Sequence, residues 1–379
     1  MEVRMEVRMN QPVRTPIVQF GTSRFLQAHA DLFLSEAREG GQPVGPVTIV
    51  QTTASGARAG RLKAFDGSPI PIVIRGIENG AAVERTVGVT SLVRGLSAVD
   101  DWAEVERIVV EEAEILISNT SDAGFALQEG ERLGADVPRS FPLKLLKLLV
   151  ARHEAGGAPL TLFPCELIPR NGDVLKALLQ GLAEENGLPE AFRAWLDRCL
   201  FANSLVDRIV SEPIEPAGAV AEPYALWAIE KQPGLQAPCV HRDVRMVDDL
   251  SVHERLKLFI LNLGHTVLAE WWRDTGRPEG ELVRQIVADP SVRQALDAIY
   301  DGEVLPIFLA GGILEAPEYR ASVLERFENP FLAHRLAEIF GNHAEKKRRR
   351  IGGLLAWKQA QGLDLPTPRL DAILASPVG

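Results

Sequence analysis

The sequence predicts an α/β protein in two parts: a sheet-and-helix domain with a mixed sheet over residues 17–212, followed by an all-α domain over residues 213–379. Three observations carry this reading. Short apolar runs alternate with amphipathic helical stretches up to about residue 210, the pattern of βαβ units. The first such run is followed directly by a glycine turn and a helix. From His253 onward, apolar residues recur at helical spacing with little strand signal. At 379 residues the chain is long enough for two cores.

The composition is 46% hydrophobic and 24% charged, an ordinary globular balance. A net charge of −10 argues against a general nucleic-acid binder. No apolar run reaches the ~18 residues that span a bilayer, so no membrane partner is expected. Cys165, Cys199 and Cys239 are far apart, which fits neither a disulfide scaffold nor a cysteine zinc site and points to the cytoplasm. His253-Glu254 has no second ligand at i+4, and no metal is assigned.

Residues 1–16 read as a disordered leader. Met1 to Met9 repeats a tetrapeptide without an apolar segment, so it is no signal peptide, and Met5 or Met9 could serve as start. Ile17–Phe20 is then a strand, and Gly21-Thr22-Ser23 the turn before a helix. Such a turn seats a pyrophosphate on helix N–H groups, which makes the domain Rossmann-like. Against Gly-x-Gly-x-x-Gly, Ser23 takes the second glycine and Leu26 the third.

A helix around His29–Glu39 leads to a strand at Val47–Gln51. Gln51 stands where an NAD enzyme usually carries an acid for the ribose diol, and Arg58 and Arg61 would suit a 2′-phosphate. NAD is the expected cofactor, with NADP open. Ile70–Arg75 and Ala82–Ser91 form a hairpin through Glu78-Asn79-Gly80. Asp100–Glu112 is an amphipathic helix. Glu114–Ser118 is a buried strand running into small polar residues that begin at Asn119 and Thr120, where an open sheet receives its ligand. A helix at Phe141–His153, a strand at Leu160–Phe163 and helices at Asp173–Glu185 and Glu190–Ala202 follow. Pro213, Pro216 and Gly218 read as a linker.

The second part holds helices at Val252–Arg273, Gly280–Ala288, Ser291–Asp301, Pro317–Phe327 and Pro330–Phe340. Within the first of these, Leu256–Ala269 is apolar nearly all round, as a buried helix is. Lys257, Asn262 and His265 interrupt it. With Lys257 at the origin and about 100° per residue, Asn262 falls near 140° and His265 near 80°, all on one side. Any one of them alone is more simply a core residue bonded to backbone. Together they can take a proton from an alcohol: a lysine that desolvation discharges readily, an amide donor and an imidazole.

The spacing Lys257-x4-Asn262-x2-His265 resembles the catalytic helix of the polyol-specific long-chain dehydrogenases, the mannitol dehydrogenase family, which includes hexuronate reductases. The resemblance implies that Lys257 is the general acid/base, that Asn262 polarises the substrate oxygen and that His265 lies in the substrate pocket. It extends in order through Gly21, Phe25, Ala28 and His29, through Ser118–Phe125 and through Pro164-Cys165-Glu166-Leu167. Further on it takes in Asn203–Ile209, Glu222–Glu230 and Arg326–Phe331. It places Gly21, Ser23, Phe25, Asn119 and Thr120 at the cofactor, together with Gln51 at the end of the second strand, and Asp207 near the substrate; Arg208 beside Asp207 reads as a structural ion pair at a domain hinge. The sequence departs from the family at Ser23, at Gln27 in place of Arg, and at Leu167 in place of the mannitol-type Asn. Pro-Cys-Glu-Leu is instead like the tagaturonate reductase (altronate oxidoreductase) branch.

Lys346-Lys347-Arg348-Arg349-Arg350 is the one dense basic run. It is either a solvated helix face or a place where Lys346 or Lys347 meets an anionic substrate. The expectation is an NAD-dependent, metal-independent oxidoreductase of a sugar acid or polyol. Mannitol or fructuronate as substrate, or a catalytically silent dinucleotide-binding protein, stay open. Nothing in the sequence fixes the oligomeric state.

Overall fold

The computed structural model describes residues 13–53, 59–120 and 124–377. Most of the expected leader, Arg58 and part of the loop after Asn119 lie outside the described residues. Of the leader, Thr15 is not loose: it is buried, and its N–H donates to the Glu112 carboxylate at 2.6 Å.

The strands run in chain order as β1 (Ile17–Phe20), β2 (Val47–Gln51), β3 (Ile70–Glu78), β4 (Ala81–Val89), β5 (Leu92–Ser97), β6 (Ile115–Ser118) and β7 (Thr161–Pro164). Then come β8 (Leu200–Phe201), β9 (Ser204–Asp207), β10 (Val210–Pro213), β11 (Ala219–Ala221), β12 (Leu226–Glu230) and β13 (Val244–Val247). The largest sheet has the order β5-β2-β1-β6-β7-β8 and is parallel throughout. β1, β2 and β6 are apolar without alternation because helices cover both faces. The strand order reverses between β1 and β6. The carboxyl ends there open onto the crevice that a doubly wound sheet offers a ligand.

The mixed pairing lies in two smaller sheets, β10-β11-β3-β4 and β13-β12-β9. The β3–β4 hairpin turns at Asn79 and Gly80, both at positive φ, as the Asn-Gly pair demands. β11 pairs with β3 and β12 with β9, so residues 219–247 belong to the sheets of the first part. The expected boundary at 212/213 is therefore wrong. Pro213, Pro216 and Gly218 form a tight β10–β11 turn, pinned by Arg24 to the Ile214 and Gly218 carbonyls. The helix expected to reach Ala202 stops at Asp197, because Leu200–Phe201 pairs with β7.

From Leu250 onward the chain is helical and closes its own core around Leu263, Val267, Ile286, Tyr300, Phe308 and Leu354. The expected Pro330–Phe340 helix is reduced to Leu336–Phe340. The buried helix that begins at Leu250 runs to Asp274, but Lys257–Leu261 within it is a π turn. Tyr300 Oη donates to the Ile260 carbonyl at 2.9 Å, and it reaches it through the space left by Gly264. A Cβ on Gly264 would stand 1.9 Å from that hydroxyl.

Candidate active site

Three cavities make up the candidate site. The first is the crevice at the carboxyl ends of β1, β2 and β6, a cavity of about 330 Å³. Gly21, Thr22, Ser23, Arg24, Gln51, Thr52, Thr53, Arg61, Asn119 and Thr120 line it, which brings five of the six expected cofactor residues together. Gly21 has φ +111°, and a Cβ there would stand 2.3 Å from the Asn119 carbonyl, so only glycine lets β1 turn this close to β6. Ser23 caps the short helix after the turn, its Oγ accepting from Leu26 N–H at 3.2 Å.

Phe25 does not belong to this group. It stacks on His29 at 4.8 Å between ring centres and packs against the core. Gln27 also points away: it is buried, taking the Gly218 N–H at 2.7 Å and giving a bond to the Thr22 carbonyl. An arginine is thus not simply missing from the crevice; the position is used to hold the β10–β11 turn.

Glu166 links the crevice to Lys257. Its buried carboxylate accepts from Ser118 Oγ, Thr120 N–H and Thr120 Oγ1, all at 3.0 Å. Burial pushes its pKa up against those bonds. Glu166 also lines a second, more apolar cavity with Leu167, Ile168, Pro169, Val206, Lys257, Leu258 and Asn262. Leu167 is 66% exposed at its rim.

A third cavity, of about 300 Å³, shares Lys257 and Asn262 with the second and adds Asp207, His265, Arg326, His334, Glu338, Lys346 and Arg350. The expected trio therefore faces one space. The π turn makes this alignment tighter than an α-helix would, because an i→i+5 repeat sets Asn262 one turn from Lys257. Lys257 Nζ donates to the Val206 carbonyl at 3.0 Å and lies 3.3 Å from Asp207 Oδ1. Asp207 is buried, which alone would raise its pKa, but Arg326 and Lys257 outweigh that and hold it down to about 2. Arg326 is itself buried between Asp207 (3.0 Å) and Glu222 (2.8 Å), with the Tyr224 ring 4.5 Å from its guanidinium carbon. His265 is buried against Phe327 and His334, and burial drives its pKa well down, which favours the neutral imidazole.

Several expected residues are placed otherwise, and several site residues had no sequence signal. Arg208 does not pair with Asp207; it donates to the Ala28 and Glu222 carbonyls. Lys347 is buried on the far side of its helix, bound to Glu270 at 3.0 Å and to Ser376. Lys346, one residue earlier, does reach the third cavity. Arg326, His334 and Arg350 were missed as site residues. Arg326 stands in a segment noted only for its resemblance. The i,i+4 spacing of Lys346 and Arg350 could have flagged Arg350 as sharing Lys346's face. Among the described residues, no three His, Cys, Asp or Glu side chains cluster as metal ligands, and no helix is long and apolar enough to cross a membrane.

Comparison with known proteins bears on this architecture. Residues 15–238 match the mannitol dehydrogenase Rossmann domain, and residues 249–375 match the mannitol dehydrogenase C-terminal domain. These limits agree with the strand boundary near residue 247 rather than with 212. An altronate oxidoreductase of Klebsiella pneumoniae is 33% identical over 95% of this chain and 78% of its own length. Two solved structures share the fold. A substrate-free D-sorbitol dehydrogenase superposes with TM-score 0.79 at 22% identity, covering 93% of this chain and 78% of the other. The Pseudomonas fluorescens mannitol 2-dehydrogenase ternary complex with NAD and D-mannitol gives TM-score 0.70 at 18% identity, covering 96% and 85%. With both domain matches in chain order, this chain belongs to the mannitol dehydrogenase family.

Proposed function

We propose that this chain is an NAD-dependent oxidoreductase that interconverts a keto sugar acid and its alcohol, as in hexuronate metabolism, without a metal. The observation that carries the reading is the position of Lys257, shared by the two cavities that meet at the π turn and held beside Asp207. The altronate oxidoreductase name of the Klebsiella relative supports a sugar acid as substrate, and Leu167 in place of an amide argues against a mannitol-type site.

The crevice at Gly21, Ser23, Gln51, Asn119 and Thr120 suits a dinucleotide: its backbone approaches closely at Gly21, and polar side chains line it. When bound, the nicotinamide would exchange a hydride with the substrate carbon. Lys257 Nζ gives a proton to the substrate oxygen in reduction and takes it back in oxidation. The Asn262 amide donates to the same oxygen, a role worth ~3 kcal/mol in comparable oxyanion sites. Neutral His265 orients a substrate hydroxyl. Asp207 fixes the lysine and keeps a counter-charge beside it. The buried free cysteines Cys165, Cys199 and Cys239 support a cytoplasmic setting.

The test is a reductase assay across tagaturonate, fructuronate and fructose with NADH and with NADPH, since Arg61 lies in the crevice. Oxidation of NADH with tagaturonate foremost is expected. Cofactor binding without turnover on any of the three would leave a silent dinucleotide-binding protein.

A further inference from the structure

The cavity beyond Lys257 carries an unbalanced charge. Lys257, Arg326, Lys346 and Arg350 line it, against the carboxylates of Asp207 and Glu338, with Glu222 paired to Arg326 from behind. Asp207 is occupied by Lys257 and Arg326. Among the described residues, neither Lys346 nor Arg350 has a carboxylate within ion-pair distance, although the protein as a whole has net charge −10. Both are partly desolvated, and burial lowers the pKa of each, with Arg350 brought down to about 10. A desolvated cation without a counter-charge is costly, and an anion entering the cavity would relieve it.

The way Arg350 is held says where that anion goes. Its Nη1 donates to the Asn262 carbonyl at 3.1 Å and to Thr266 Oγ1 at 2.9 Å. The Nη2 edge bonds to no described protein group. One side of the planar guanidinium is thus fixed to the catalytic helix, and its orientation is set before any ligand arrives. Lys346, one helical turn earlier, is held by the Ile339 carbonyl at 2.7 Å and has two ammonium hydrogens to spare. The Arg350 anchor points, Asn262 and Thr266, lie one π turn past Lys257 and, at about 1.5 Å per residue, roughly 6 Å further along the axis. That is about the reach of a six-carbon chain gripped by a polar group at each end.

We propose that Arg350, with Lys346, seats a substrate carboxylate at the end of the cavity away from Lys257, so that the chain selects sugar acids whose carboxylate lies several carbons from the reacting carbon. This rests on the dehydrogenase reading above. A 2-oxo acid has its two groups on adjacent carbons and cannot engage Lys257 and Arg350 together. A neutral ketose leaves the cations unanswered.

The test compares NADH oxidation with tagaturonate, the neutral ketose tagatose and 2-oxogluconate, in the parent chain and in Arg350→Gln and Arg350→Lys. In the parent, kcat/KM for tagaturonate exceeds that for either other compound ten-fold or more. Arg350→Gln lowers the tagaturonate-to-tagatose ratio at least ten-fold, chiefly through KM, and Arg350→Lys restores part of it. Parallel losses on tagaturonate and tagatose, or a preference for 2-oxogluconate, overturn the assignment while leaving the dehydrogenase reading in place. A parent chain that reduces none of the three removes that reading, and the carboxylate seat with it. If Arg350→Gln does not fold, Lys346→Gln serves the same comparison.

Discussion

The carboxylate of Asp207 stands between the ammonium of Lys257, 3.3 Å away, and the guanidinium of Arg326, 3.0 Å away. Asp207 ends β9 and Arg326 comes from the helix Ala316–Glu328, so this one carboxylate ties the sheet region to two helices of the second part. A buried charge network of this kind is destabilising to break by halves, because the partner left behind stays desolvated. It also sets the lysine's position to within one hydrogen-bond length of a fixed point. Proton transfer needs that precision.

Lys257→Ala is expected to lower turnover by at least ~100-fold, as for a lost general acid/base. NADH binding, followed by fluorescence, should change little, because the crevice at Gly21 and Asn119 does not include Lys257. A variant that keeps most of its activity would remove the central assignment.

Prolonged EDTA treatment should leave activity intact, since Lys257 is proposed to do the proton work that a metal-bound water would otherwise do. Loss on chelation with recovery on added zinc would reject the mechanism.

The packing of Tyr300 against Gly264 gives a structural prediction. Gly264→Ala drives a methyl into the tyrosine hydroxyl and the Phe327 ring, an overpacking costing ~1–3 kcal/mol. Tyr300→Phe leaves the Ile260 carbonyl without its partner, at ~1–3 kcal/mol. Both should lower the urea midpoint, and Gly264→Ala should also lower kcat by disturbing the π turn that carries Lys257. If both unfold with the parent, Tyr300 is not what holds that turn.

The trio on the buried helix was legible in the sequence because local periodicity places neighbours on one helix. The π turn was not: no local pattern marks it, and the tyrosine that bonds to it across Gly264, Tyr300, lies forty positions away. The Arg326–Asp207 and Arg326–Glu222 pairs join residues about a hundred apart, and no spacing rule reaches them. Strands β11 to β13 were read as linker and helical domain because Pro213, Pro216 and Gly218 look alike in a linker and in a tight sheet turn. Which way the basic run faces depended on the partners of Lys347, which come from Glu270 and Ser376.

Asp31 offers a pH signature outside the site. Burial pushes its pKa up to about 8 from the ordinary 3.8. The folded chain therefore holds a proton that the unfolded chain releases near pH 4, and between these values stability falls as pH rises. The proton can bridge Asp31 Oδ1 to Gln19 Oε1, two buried atoms without other partners. Asp31→Asn keeps an amide bridge and removes the titration. Its denaturation midpoint should match the parent near pH 4 and exceed it increasingly toward pH 8, by up to ~1.4 kcal/mol per unit. Parallel pH profiles for the two proteins would show that Asp31 does not titrate in this window.

The two adjacent lysines, 346 and 347, separate a substrate role from a structural one. Lys346 lines the cavity with His265, His334 and Arg350, whereas Lys347 is buried and paired with Glu270, which also receives His343 and Ser376. Lys346→Met should raise KM for tagaturonate more than for a neutral ketose, and the gap should widen at low salt because the lost attraction is between charges. Lys347→Met should do something else. It removes the ammonium from a buried carboxylate that His343 and Ser376 still bond, destabilising the fold by about 1–3 kcal/mol, with no preference between acid and neutral substrates in whatever folded protein remains. Measuring both KM values and both urea midpoints decides the matter. A substrate-selective change at Lys347 would overturn the division of roles between the two lysines, and equal KM changes on acid and neutral substrates at Lys346 would weaken the case for an anionic substrate.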